Sequence, residues 1–228
     1  MTSREPGGQH GRRASGRPAA GGGRWVEVPP ERLERWIAGF GERHGAVSHT
    51  VDDGVLRLRA FDSAEAECLP PPATPRAIDL DGFVSNALRA GRIGLLLARK
   101  SVYAVGIADG LELTVSKVDS HYVQSRTAAG GWSQQRFARR RANQAKAAAG
   151  DATETVVRLL VPEAGSLAAV VTGGDRRTVE TILDDRRLDQ ISALVHSRFL
   201  DVPDPKQAVL RQAVATARSI RIRLLYPD

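Results

Sequence analysis

The chain has 228 residues, 42% of them hydrophobic and 26% charged, which is the length and balance of one ordinary globular domain with extensions. Its net charge of +7 favours a polyanionic partner, nucleic acid first and an anionic membrane second. No apolar run reaches the ~20 residues of a membrane span, the N-terminus has no apolar signal region, and the single cysteine, Cys68, excludes a disulfide framework or cysteine-rich zinc site within one chain. A cytoplasmic protein is the simplest expectation.

Residues 1–24 are Gly, Arg, Ser, Pro and Ala without periodic apolar positions, so a disordered basic tail is expected. Its arginines, Arg4, Arg12, Arg13, Arg17 and Arg24, suit an RNA tether, and composition alone does not separate that role from a low-complexity tail. Order is expected from Trp25. Leu33, Trp36, Ile37 and Phe40 recur at i, i+3, i+4 and i+7 and predict a helix that opens at Pro30 and ends before Gly45. Trp25 and Trp36 read as core or domain-contact residues, with base stacking as the other reading. Val47, His49 and Val51 alternate, Asp53-Gly54 turns the chain, and Val55, Leu56 and Leu58 follow, which predicts a hairpin. His44 and His49 have no metal-ligand spacing around them. Pro70-Pro71-Pro72 and Pro75 form a stiff connector. Residues 25–75 are therefore expected to make a small N-terminal module with its connector, and 76–228 the main domain.

The main domain should open with a short helix over 81–90. Ile93 to Ala98, Val102 to Ile107 and Leu111 to Val118 have strand length and short links, which predicts an antiparallel meander. Ser133 is a candidate N-cap for a helix to Ala149, closed by Gly150, with a second helix over 151–160. Ala138, Ala142, Ala145 and Ala149 make a narrow stripe on the first of these. Leu167 to Val171 reads as a buried strand, Asp175 as the N-cap of a helix over 176–183, and Ile191 to Val195 as another strand. Lys206 to Ala217 has helical spacing. Ile220, Ile222 and Leu224 alternate as a final strand of this domain.

Familiar catalytic patterns are missing: no nucleophile elbow, no phosphate loop ending in Lys-Ser or Lys-Thr, and no paired-histidine zinc motif. Gly173-Gly174-Asp175 reads as a plain strand-to-helix turn, His121 as a structural histidine, and Asp184-Asp185, flanked by Arg186 and Arg187, as a solvated charge cluster. What remains is Gly130-Gly131-Trp132-Ser133-Gln134-Gln135, running into a helix with Arg136, Arg139, Arg140, Arg141 and Lys146. Adjacent glycines allow a close approach to a partner's backbone. A glutamine amide donates and accepts hydrogen bonds without carrying a charge, so it can orient water but not drive proton transfer. Read by themselves, these residues are equally a flexible turn before a solvated helix.

Gly130 to Arg141 resembles the Gly-Gly-Gln loop and basic helix of eukaryotic and archaeal class-1 termination factors. The strand pair over 94–107 and the strand through Val123 follow the order of that catalytic domain. Ala168 to Asp175 and Asp185-Arg186-Arg187-Leu188 are similar to its later strand, helix and Asp-x-Arg-Leu segment. The likeness covers roughly residues 92–228. Trp132 stands where those factors have glutamine. Gly131-Trp132-Ser133-Gln134 instead fits the Gly-x-x-Gln arrangement of the related release-factor-like peptidyl-tRNA hydrolases of ribosome rescue and quality control.

The resemblance implies an α/β fold: a mixed-sheet, release-factor catalytic-domain-like (ribonuclease-H-like) domain with a small N-terminal α+β module. It implies hydrolysis of the peptidyl-tRNA ester on stalled ribosomes or large subunits, independent of a stop codon. Gln134 is the implied catalytic residue and Gln135 the runner-up. Gly130, Gly131, Trp132 and Ser133 form the loop, and Arg126, Arg136, Arg139, Arg140, Arg141 and Lys146 bind RNA. No metal or organic cofactor is expected. The expected partners are the large ribosomal subunit, through its rRNA, and peptidyl-tRNA, with no membrane and a monomer off the ribosome. The alternatives are a non-enzymatic ribosome- or RNA-binding protein and a nuclease; the missing acidic cluster counts against the second.

Overall fold

The structure, a computed structural model, describes residues 17–19, 22–89, 91–99, 101–120 and 132–226, and over 132–145 it describes the backbone. In chain order the first elements are β1 (Arg17–Pro18), β2 (Arg24–Val28), α1 (Leu33–His44), β3 (Val47–Asp52), β4 (Val55–Ala60), β5 (Glu65–Leu69) and α2 (Leu80–Leu88). Then come β6 (Arg92–Arg99), β7 (Val102–Asp109), β8 (Glu112–Ser120), α3 (Trp132–Leu159), β9 (Ala169–Gly174), α4 (Arg176–Leu183), α5 (Asp189–Ser192), β10 (Val195–Leu200), α6 (Gln207–Arg218) and β11 (Ile220–Leu225).

The strands make two sheets. The first has the order β1-β2-β11-β5-β4-β3 and is antiparallel throughout. Its inner face alternates: Leu56, Leu58, Ala66, Cys68, Ile220, Ile222 and Leu224 are buried, while the residues between them face outward. Leu33 and Phe40 of α1 and Phe83 and Ala87 of α2 cover that face. The helical spacing of Leu33, Trp36, Ile37 and Phe40 is therefore the core stripe, and Asp53-Gly54 turns the hairpin with positive φ at both residues. Asp79 caps α2 by accepting a hydrogen bond from the Gly82 N–H at 2.7 Å.

The division between the sheets does not fall at residue 75. β11, expected in the second domain, pairs between β2 and β5, and α2 packs on the first sheet. Periodicity shows that Ile220, Ile222 and Leu224 form a half-buried strand but carries no information about its neighbours. Order also begins earlier than composition predicts, because Arg17–Pro18 pair with β2. Residues 1–16, 20 and 21 of the tail lie outside the described residues.

The second sheet has the order β10-β9-β6-β7-β8. β6, β7 and β8 form the expected antiparallel meander, and β9 and β10 extend it in parallel from β6. Both faces are covered, which is why β6 and β7 are almost continuously apolar. α3, α4 and α5 pack on one face and α6 on the other. The 191–195 segment departs from expectation: residues 189–192 are helical, with Ile191 buried, and the strand starts at Val195. Short apolar runs do not distinguish the two states by period.

Candidate functional site

α3 is one helix of 28 residues, not two. Gly150 costs only about 1 kcal/mol against alanine inside a helix. Ala148, Ala152 and Val156, one turn apart and all buried, hold the helix to the sheet on both sides of it. The hydroxyls of Tyr103 (β7) and Thr155 (α3) meet at 3.0 Å in the buried interface and fix the register. The Thr153 hydroxyl donates back to Ala149 O at 2.9 Å. Arg187 adds an outer brace, donating to Glu154 at 2.7 Å and to Asp185 at 2.9 Å.

The direction of α3 follows from its contacts. Its C-terminal end, at Leu160, lies against Gly94 near the start of β6. Ala148, Ala149 and Ala152 meet Ser101 and Val102 at the turn that ends β6. The helix therefore runs antiparallel to β6, and its residues from Trp132 to Ala147 come before Ala148, which is buried at this end of the sheet. At 1.5 Å per residue they carry the chain about 24 Å. Residues 121–131 join Ser120, at the end of β8 beside that same edge, to Trp132 at the helix start.

This geometry bears on each expected site residue. Arg126, Gly130 and Gly131 lie outside the described residues, as does His121. Trp132, Ser133, Gln134 and Gln135 make the first turn of α3. Ser133, expected as N-cap, is the second helical residue, and Gln134 is the third, not the first. Preceding glycines impose no steric barrier to an earlier start. Gln134 still lies where backbone N–H groups have no intrahelical partner. Arg136, Arg139, Arg140 and Arg141 follow on the same helix, and Lys146 is exposed near where the helix meets the body.

Sequence reasoning passed over a second basic group. The crevice beside Ala148 and Ala149 includes Thr178 of α4, so the N-terminal turn of α4 adjoins the base of the projecting helix. Arg176 and Arg177 are exposed there, and the Arg176 guanidinium lies 4.2 Å over the Phe199 ring. Arg99 ends β6 at the same edge, donating to Val202 O at 2.9 Å. Only the parallel β6–β9 pairing brings these residues together; nothing in their local spacing does. Asp175 is the cap it was expected to be, accepting from the Thr178 N–H at 2.8 Å and hydroxyl at 2.7 Å. Those bonds, with Arg99 and Arg177 nearby, hold its carboxyl below the ordinary carboxylate range. Asp185 caps its own turn and pairs with Arg187, which takes its carboxyl down to about 2. The Asp184-Asp185 segment is thus a charge cluster that braces α3.

These features define a mixed α/β domain that carries a long basic helix past one edge of its sheet, with a glycine-rich segment ahead of it. The family model described as "Actinobacteria/chloroflexi VLRF1 release factor" matches residues 91–223, more than half of the chain, and the chain belongs to that family. No curated protein matches it. Among solved structures, an archaeal translation termination factor, aRF1, aligns at 16% identity with a TM-score of 0.45, over 85% of this chain and 63% of that one. One described only as "Archaeal protein" aligns at 15% and 0.37, over 83% and 62%. The chain spans less than two thirds of either, and likenesses at these scores carry no argument.

Proposed function

We propose that this protein is a peptidyl-tRNA hydrolase that frees nascent chains from tRNA on stalled ribosomes or large subunits without reading a stop codon. Membership of a release-factor family sets the class of reaction. The observation that carries the reading is the position of Gln134 in the first turn of a long helix, 14 residues ahead of Ala148, which is buried at the end of the sheet. Such an arm suits a loop that must enter a narrow RNA site. The meander extended by two parallel strands supports a ribonuclease-H-like description of the second sheet.

In this reading Gly130 and Gly131 let the loop pass close to rRNA, and the Gln134 amide orients water against the ester carbonyl. The amide is a poor acid or base, so rate comes from positioning and from dipoles fixed before reaction. The N-terminal end of α3 carries the positive end of its dipole. Arg136, Arg139, Arg140, Arg141 and Lys146 extend that field toward phosphates, with Arg126 ahead of the loop and Arg99, Arg176 and Arg177 at the base. The partners are the large ribosomal subunit and peptidyl-tRNA, met by a cytoplasmic monomer.

The test is peptide release from purified stalled ribosome and large-subunit complexes lacking a stop codon. Wild type releases peptide; Gln134→Ala binds normally and releases about 10²- to 10³-fold more slowly. Normal release by Gln134→Ala with failure of Gln135→Ala moves the catalytic amide by one residue. A wild type that binds but never releases leaves a ribosome-binding protein and ends the enzymatic reading.

A further inference from the structure

The protein is poor in aromatic residues, with three Trp, three Tyr and five Phe. Three of them gather with His44 at one corner of the first sheet. Trp36 stacks on Phe40 at 5.5 Å, Phe40 meets His44 at 4.8 Å, and His44 meets Tyr226 at 5.7 Å between ring centres. The Arg24 guanidinium lies 5.5 Å over the Tyr226 ring and donates to its hydroxyl at 3.0 Å. The column runs from the half-buried Trp36 through Phe40, which is 1% exposed, to Tyr226, which is 45% exposed.

On the turn after β4, against Gly45 at the end of α1, stands Phe61, 87% exposed. Its turn is fixed against the end of α1. Asp62 N–H donates to His44 O at 3.3 Å, and the Asp62 carboxylate meets His44 Nδ1 at 2.8 Å and accepts from the Ala64 N–H at 3.0 Å. Gly45, with φ of +87°, lies against Phe61 Cβ. Phe61 thus stands outward on a hydrogen-bonded turn. Ile78, Leu88, Leu111 and Val115 are also exposed, but they are aliphatic and offer no ring for stacking. Phe61 and Tyr226 are both exposed and both lie next to His44, Phe61 through its neighbour Asp62 and Tyr226 through its ring, and the Arg24 cation lies over Tyr226.

We infer that the Phe61–Tyr226 corner is a stacking site for unpaired bases of single-stranded RNA. Exposed aromatic faces joined to an arginine are what sequence-tolerant base binding uses. Asp62, an acidic group at the corner, is engaged by His44 and Ala64, so it opposes a phosphate less than a free carboxylate would. The chain's net charge of +7 favours the same partner. The site does not depend on the chemistry proposed for Gln134.

The experiment measures binding of a fluorescent single-stranded poly(A) RNA to the full chain by anisotropy across a salt series. It is repeated in a background with Arg136, Arg139, Arg140 and Arg141 changed to Ala, so that α3 does not mask the corner. Phe61→Ala and Tyr226→Ala are each expected to weaken binding roughly 5- to 100-fold. The salt slope stays unchanged, because no phosphate contact is removed. Phe61→Trp restores binding. A Phe61→Ala/Tyr226→Ala protein that binds as tightly as its background overturns the proposal. So does a loss of ribosome co-sedimentation with RNA affinity intact, which points to a protein partner. Peptide release is scored separately, so loss of one reading leaves the other standing.

Discussion

Arg198 of β10 and Glu27 of β2 join the two sheets through an ion pair at 3.0 Å, with the arginine side chain 5% exposed and the glutamate 46%. The same guanidinium donates to Ala217 O at 3.1 Å and Ser219 O at 2.6 Å, the two carbonyls where α6 gives way to β11. It thus fastens the crossing by which the last strand enters the first sheet. Arg198→Ala leaves those carbonyls without their donor and is expected to cost about 2–4 kcal/mol. Arg198→Lys recovers only part of this, because an ammonium lacks the planar fork. Urea unfolding measures both; an unchanged midpoint for Arg198→Ala would mean that the clasp contributes nothing.

Gly174 ends β9 with φ of +102°, and a Cβ there would run into Ala98 O. The following N–H, of Asp175, donates to that same oxygen at 2.8 Å, so the backbone cannot easily retreat. Gly174→Ala combines left-handed strain with a backbone clash, and a loss of about 2–4 kcal/mol is expected. A thermal melt indistinguishable from wild type would show that the turn relaxes freely.

What local chemistry encodes was legible, and what long-range pairing decides was not. The stripe Leu33-Trp36-Ile37-Phe40, the Asp53-Gly54 turn and the Asp175 cap each follow from a few adjacent residues, and each is where it was expected. β5 went unseen because its inward positions are Ala66 and Cys68, too small to mark a strand beside a proline run. β11 was recognised as a strand but not as a neighbour of β2 and β5. The site divides the same way. Gly131 to Gln134 is readable as a motif, whereas the projection of α3 and the nearness of Arg176 and Arg177 to its base need the sheet order.

The brace on α3 should depend on pH. Arg187 holds the Asp185 carboxyl at about 2, below the ordinary value of about 3.9. A carboxylate with a depressed folded-state value adds stability that is complete above the unfolded value and lost as pH falls through the folded one. Asp185→Asn should therefore be less stable than wild type at neutral pH. The gap should narrow from about pH 4 and close near pH 2. Denaturation curves at stepped pH follow it, and a gap that stays constant to pH 2 would separate the brace from the charge of Asp185.

Gly150 and Ala147 make opposite predictions for the projecting helix. A Cβ at Gly150 meets nothing within 4 Å, and the residue is exposed inside an unbroken helix. Gly150→Ala should raise stability by about 0.5–1 kcal/mol and leave peptide release intact. Ala147, also exposed, immediately precedes the buried Ala148. A proline there removes a helical hydrogen bond and clashes with the preceding turn, costing about 3 kcal/mol or more, mostly at the base of the arm. The body from Ala148 onward keeps its packing on the sheet, so Ala147→Pro should retain a cooperative melt while losing release. Circular dichroism and the release assay, run on the same preparations, report the two quantities. Full release by Ala147→Pro would show that the loop does not need a straight helix behind it.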